Sequence, residues 1–210
     1  MMRCRDCPAW GSFLYCPLIA LLLALTADPV SAQQQRYDLA EDDSWEAVQE
    51  IDPASPEGQL LATRRALAEG RAAVAEEQAI RWIDANPEHR FLPEAYLLRG
   101  DALVAQNEEY EALFDYEYIA RVFFGSEVFV TALEREFEIA KDYARGKDRK
   151  LWGIRFISAY DEAEELLIRI QERLPGSELA ERAGLELGDF YFRRQNMALA
   201  SEAYDLFIEN

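Results

Sequence analysis

Displaced by 88 residues, the chain matches itself: Ala75, Pro87, Ala95, Gly100, Asp101, Ala112 and Tyr116 coincide with Ala163, Pro175, Ala183, Gly188, Asp189, Ala200 and Tyr204. Small, acidic, aromatic and helix-ending residues that recur in one register point to a supersecondary unit stacked on itself, so this feature constrains the fold most. From about residue 57 onward the chain is rich in Ala, Leu, Glu and Arg at helical spacing, with almost no strand-like alternation. The predicted fold class is all-α.

The residue types say how the unit packs. Gly188 and Ala200 are small where two antiparallel helices are expected to cross closely, and Tyr191 and Tyr204 fill the space beside the crossing. Pro175, just after "IQERL", ends the second helix of its pair. On this register the small residue of each second helix falls at Ala75, Ala112, Ala163 and Ala200, at spacings of 37, 51 and 37 residues. Gly100, Tyr116, Ala140, Tyr143 and Ala163 complete the set expected to pack between helices. The stretch "LGDFYFRRQNMALASEAY", Leu187 to Tyr204, resembles the tetratricopeptide (TPR) repeat, whose period is about 34 residues. That resemblance implies a right-handed solenoid of about four antiparallel helical hairpins. The long middle spacing then makes the third hairpin carry an extended basic insert.

Three domains are expected. Residues 1–32 read as an export signal: Arg3 and Arg5, the apolar run "LIALLLALTA", then Val30 and Ala32 ahead of a cleavage point. An uncleaved anchor is the competing reading, because Pro8 to Ala27 carries no charge over about the length of a bilayer span. All three cysteines, Cys4, Cys7 and Cys16, lie in this segment, and none has the setting of a lipidated cysteine after an apolar run. Residues 33–56 are polar and acidic, a flexible leader with one short helical turn around Trp45. Residues 57–210 form the repeat domain. It reaches its last residues, "YDLFIEN", before a polar capping helix is seen, which leaves open a fragment or an array that closes on another protein.

With the signal, the 37-residue periods and the segment from "FEIAKDYARGKDRKLWGIRF" to "LELGDFYFRRQ", residues 57 to 210 are similar to the envelope TPR proteins related to BamD, a component of the machinery that inserts β-barrel proteins into the bacterial outer membrane. This resemblance implies an exported scaffold of the periplasm, or of the periplasmic face of the outer membrane, that binds protein partners of the envelope. The missing lipid-anchor cysteine departs from the family. The alternative is a soluble periplasmic TPR adaptor for a cell-wall or division complex.

Catalytic chemistry finds little material. After the signal there is no cysteine and one histidine, His89, which reads as a solvated loop residue in "NPEHRF". No phosphate-binding glycine loop or nucleophile elbow occurs, so no enzyme activity, metal or cofactor is expected. The carboxylate runs "AEDD" (40–43) and "DEAEE" (161–165) lack the ligand spacing of a calcium loop. Forty Asp and Glu against 22 Lys and Arg, a net charge of −18, oppose binding to nucleic acid and limit membrane contact to the periphery.

Protein binding remains. By the TPR register Asp101, Val104, Lys141, Ala144, Asp189, Phe192 and Arg193 line a groove of mixed charge suited to an extended peptide or partner helix. The insert holds the chain's three lysines, Lys141, Lys147 and Lys150, together with Arg145, Arg149 and Arg155. Three accounts of it stay open. It is a solvated hairpin extension; a docking loop in which Arg145, Lys147, Arg149 and Lys150 steer an acidic partner onto Trp152, Ile154 and Phe156; or a membrane-surface contact. Docking predicts that Lys147→Glu and Lys150→Glu with Trp152→Ala leave the melting temperature unchanged.

Overall fold

A computed structural model describes residues 37–39, 45–47, 51–151 and 153–209, in two compact units, residues 1–50 and 51–210. The signal segment, its cysteines, the "AEDD" run and Trp152 lie outside the described residues. In the first unit β1 (Tyr37–Leu39) pairs antiparallel with β2 (Trp45–Ala47), Leu39 opposite Trp45. The helical turn expected around Trp45 is therefore a strand. Tyr37, Leu39, Trp45 and Ala47 alternate with Asp38 and Glu46, a two-residue period over segments too short to nucleate a helix.

Among its described residues the second unit holds eight helices and one short strand pair, and the all-α expectation holds for it as a mostly helical body. The helices are α1 (Pro56–Ala68), α2 (Ala72–Ala85), α3 (Leu92–Ala105), α4 (Glu109–Val122), α5 (Phe129–Ala144), α6 (Tyr160–Arg173), α7 (Glu178–Arg193) and α8 (Met197–Glu209). Each helix packs on the next along the chain, and α1 also meets α3 as α5 meets α7. Ser55 and Ser177 start α1 and α7 by accepting hydrogen bonds from the Gly58 and Ala180 amides. Pro56 and Pro93 sit in first turns, where a missing amide proton costs nothing.

Helices α1, α3, α5 and α7 all end in one way. A residue with positive φ follows, Gly70, Asn107, Gly146 or Gln195, and the next amide reaches back five residues: Arg71 to Ala66, Glu108 to Leu103, Lys147 to Asp142, Asn196 to Tyr191. This double return of the backbone satisfies helix-end carbonyls and turns the chain into the following helix. Asn107 and Gln195, 88 residues apart, hold this left-handed geometry without being glycine.

The 88-residue repeat also returns as one contact. A Cβ on Gly100 would lie 2.5 Å from Tyr116 Cε1, and one on Gly188 2.4 Å from Tyr204 Cε1. The Tyr116 hydroxyl donates to Asp101 at 2.8 Å, and the Tyr204 hydroxyl to Asp189 at 2.7 Å. Ala75, Ala112, Ala163 and Ala200 are all buried, as are Ala140, Tyr143 and Tyr191. The two copies differ in freedom: Tyr116 is fully enclosed, Tyr204 half-buried. Gly100→Ala should therefore cost about 1–3 kcal/mol by overpacking. Gly188→Ala should cost less, about 1 kcal/mol, as Tyr204 swings out and gives up its hydrogen bond. Urea unfolding of the two variants checks this order.

Candidate functional site

The basic insert is the connection between α5 and α6. After Gly146 reverses the chain, β3 (Arg149–Leu151) and β4 (Ile154–Ile157) form an antiparallel hairpin turning near Gly153, whose φ is +80°. Alternation in β4 puts Ile154 and Phe156 outward and leaves Arg155 and Ile157 partly covered. Lys150 stands across the sheet from Arg155, so these two cations share a face.

That face is turned toward the helices. Arg155 donates to both oxygens of Glu109, at 2.9 and 2.6 Å, and to the Asn107 carbonyl. Lys147 lies 3.0 Å from Glu109 and 2.9 Å from Asp142. Lys150 pairs with Glu108, while Arg149 bonds Glu162 at 2.6 Å and lies over the Tyr110 ring. The hairpin is thus an ionic strap. It ties the first turn of α4 and the end of α5 to the start of α6.

Glu109 is the strap's anchor. Its side chain is 5% exposed, and burial alone would raise its pKa. Hydrogen bonds from Arg155, its own backbone amide and Lys147 outweigh burial and hold the carboxyl below the usual range. The Lys147 ammonium, despite partial burial, is held above its ordinary value by hydrogen bonds to Asp142 and Glu109. Asp161 and Glu162 occupy the first turn of α6, where the helix N-terminus favours negative charge.

The cations assigned to steering are therefore engaged inside the chain. Lys141 pairs with Glu138, and Arg145 and Arg193 converge on the buried Glu186 from 3.0 and 2.8 Å. The apolar half of the docking reading fares differently: Ile154 and Phe156 face solvent, as does Phe192.

Two residues stand where sequence reasoning did not put them. Ala144 is buried rather than groove-lining, because it continues the stripe of Leu133, Phe137 and Ala140 along α5. His89 is packed rather than simply solvated. Its ring lies 5.4 Å from both Trp82 and Phe91, and its Nδ1 accepts from the Phe91 amide. Asp101 and Asp189, expected in the groove, each accept a tyrosine hydroxyl; Asp101 also pairs with Arg135 of α5 at 2.9 Å.

A second charged cluster joins α4, α5 and α6. Glu136 is fully buried in α5, with Oε2 3.3 Å from Arg173 and Oε1 without a partner. Arg173 aims Nη2 at both oxygens of Glu117, at 2.8 Å each, and gives Glu136 only the longer contact from Nη1. Burial therefore prevails over Arg173 and pushes the Glu136 carboxyl up to about 8, with Glu117 adding to the rise.

The sequence offered no signal for Glu109, Glu186 or Glu136, each one carboxylate among forty. Among the described residues no helix is long and apolar enough to cross a membrane. Comparison with protein-family models finds no match, and comparison with curated proteins finds none either.

Proposed function

We propose that the chain is a TPR-type solenoid of about four helical hairpins and serves as a non-enzymatic, protein-binding scaffold of the bacterial cell envelope, of the kind that supports outer-membrane β-barrel assembly. The observation that carries the repeat is the common ending of α1, α3, α5 and α7, together with the Gly-Asp-Tyr contact that recurs 88 residues later. Stacked helical pairs present extended surfaces, and such surfaces serve binding. The outward Ile154 and Phe156, held by a strap whose charges face inward, and the exposed Phe192 supply apolar contact points.

Affinity purification from cross-linked envelopes tests this reading. Recovery of β-barrel assembly components, with lower levels of outer-membrane β-barrels after depletion, is the expected result. Recovery of cell-wall or division proteins with unchanged β-barrel levels would assign the adaptor role instead. Export is tested by sequencing the N-terminus of the protein recovered from the periplasmic fraction, which should begin at Gln33.

A further inference from the structure

On its outer side α4 breaks a pattern that its sister helices keep. Two residues beyond the buried alanine near the start of each second helix, Ala75, Ala112, Ala163 or Ala200, stand Glu77, Phe114, Glu165 and Glu202. Four residues further on are Arg81 in α2 and Arg169 in α6, and each bonds its glutamate across one turn. Such i,i+4 ion pairs suit a helix face left to solvent. At the same two places α4 presents Phe114 and Tyr118, 64% and 39% exposed, and Val122 one turn later is 50% exposed. The stripe lies in mid-domain, with helices of the same unit before and after it.

Its rings are held in place. Phe114 meets Tyr110 edge-on at 5.4 Å, and Tyr118 lies 4.7 Å from Tyr96 and 5.6 Å from Phe123. Docking against rings already positioned costs little side-chain freedom. Large apolar side chains exposed side by side on one helix face mark a contact surface.

Two charges border the stripe. Glu111 and Arg121 are exposed on the same face, and among the described residues neither has an ion-pair partner. Glu111 stands three residues before Phe114, and Arg121 three after Tyr118. Reversing the helix about Tyr116 therefore exchanges Phe114 with Tyr118, Tyr110 with Val122, and Glu111 with Arg121. A face with that property complements itself in an antiparallel pair, where ring meets ring and each carboxylate meets a guanidinium.

We propose that this face of α4 joins a second copy of the chain in a two-fold antiparallel helix pair. Phe114 packs against Tyr118 of the second copy, and Glu111 bonds Arg121 of the second copy. A helix pair of this length buries less than a standard interface of about 1,600 Å², so the dimer forms at micromolar rather than nanomolar concentration. This inference does not rest on the envelope reading: failure to recover envelope partners removes the scaffold role and leaves the dimer.

Sedimentation equilibrium of the whole chain, from about 1 to 200 μM, tests it. Salt of about 150 mM screens the −18 charge of each copy beyond roughly 8 Å. A monomer–dimer equilibrium is expected. Phe114→Glu, which gives α4 the glutamate of its sister helices, should weaken it by more than about tenfold with an unchanged melting temperature. Glu111→Arg and Arg121→Glu should each weaken it by roughly tenfold, because each sets like charges opposite one another. An equimolar mixture of those two variants should dimerise more tightly than either alone, since every arginine at these positions then meets a glutamate of the other copy.

Self-association indifferent to Phe114→Glu, or a mixture no tighter than its components, overturns the proposal. So does a monomer at every concentration, including one that co-sediments with vesicles of phosphatidylethanolamine and phosphatidylglycerol and loses them in Phe114→Glu, which would make the stripe a lipid contact.

Discussion

Glu136→Gln should leave the protein more stable than the unsubstituted chain at pH 8 and almost equally stable at pH 4.5. The cause is one buried carboxyl whose pKa is raised to about 8 from an ordinary 4.5. Below pH 4.5 it is protonated both folded and unfolded and contributes no pH dependence. Between 4.5 and 8 the unfolded chain releases this proton while the folded chain keeps it, so the folded state binds more protons and stability falls as pH rises. The slope from one group is about 1.4 kcal/mol per pH unit, which accumulates to roughly 4 kcal/mol across the interval. Glutamine has no proton to lose, so the variant's profile lacks this decline. Urea unfolding between pH 5 and 8 measures it, and parallel profiles for the two proteins would refute the account. Glu109 acts in the opposite sense: its lowered pKa gives stability that is present above pH 4.5 and lost as pH falls through the folded value.

Arg155→Ala should lower stability by about 2–3 kcal/mol, and the melting temperature by roughly 5–10 °C, because it leaves the buried Glu109 carboxylate with Lys147 and its own backbone amide. Arg155 is 29% exposed, so solvent screens part of the pair and the value sits below that of a fully enclosed one. Combining Arg155→Ala with Glu109→Leu should recover much of the loss, since a buried pair exchanged for apolar packing is often neutral. Lys147→Glu should also destabilise, by placing a third carboxylate beside Glu109 and Asp142. This reverses the expectation, drawn from a freely solvated docking loop, that charge reversal in the insert leaves melting unchanged. Thermal unfolding followed by circular dichroism distinguishes the two.

How far the fold is legible in the sequence depends on the range of the force involved. The glycine–tyrosine contacts are readable because steric need is local: a close crossing demands glycine at one place and an aromatic sixteen residues on, and the demand recurs as identity at Gly100 and Gly188. The ion pairs of the strap are not. Glu109 and Arg155 are 46 residues apart, and mutual attraction leaves no period in either segment. The hairpin was partly legible, since Gly153 sits between the short strands, but a register read for helices has no place for strands. Ala144 fails for a related reason: the groove pattern assigns it outward by position, whereas helical spacing from Ala140 assigns it inward, and packing decides. In the candidate site the residues were found and their direction was not. Lys147, Lys150 and Arg155 are where the unusual chemistry lies, but they serve the interior.

The strap also changes how the chain meets a protease. Lysine occurs only at 141, 147 and 150, so an enzyme that cuts after lysine can act only in the last turn of α5 or at the hairpin, which the Lys147 and Lys150 ammoniums help to fasten. Cleavage after Lys147 or Lys150 would separate α1–α5 from α6–α8 in one event. Its rate is therefore a direct measure of how often the strap comes undone.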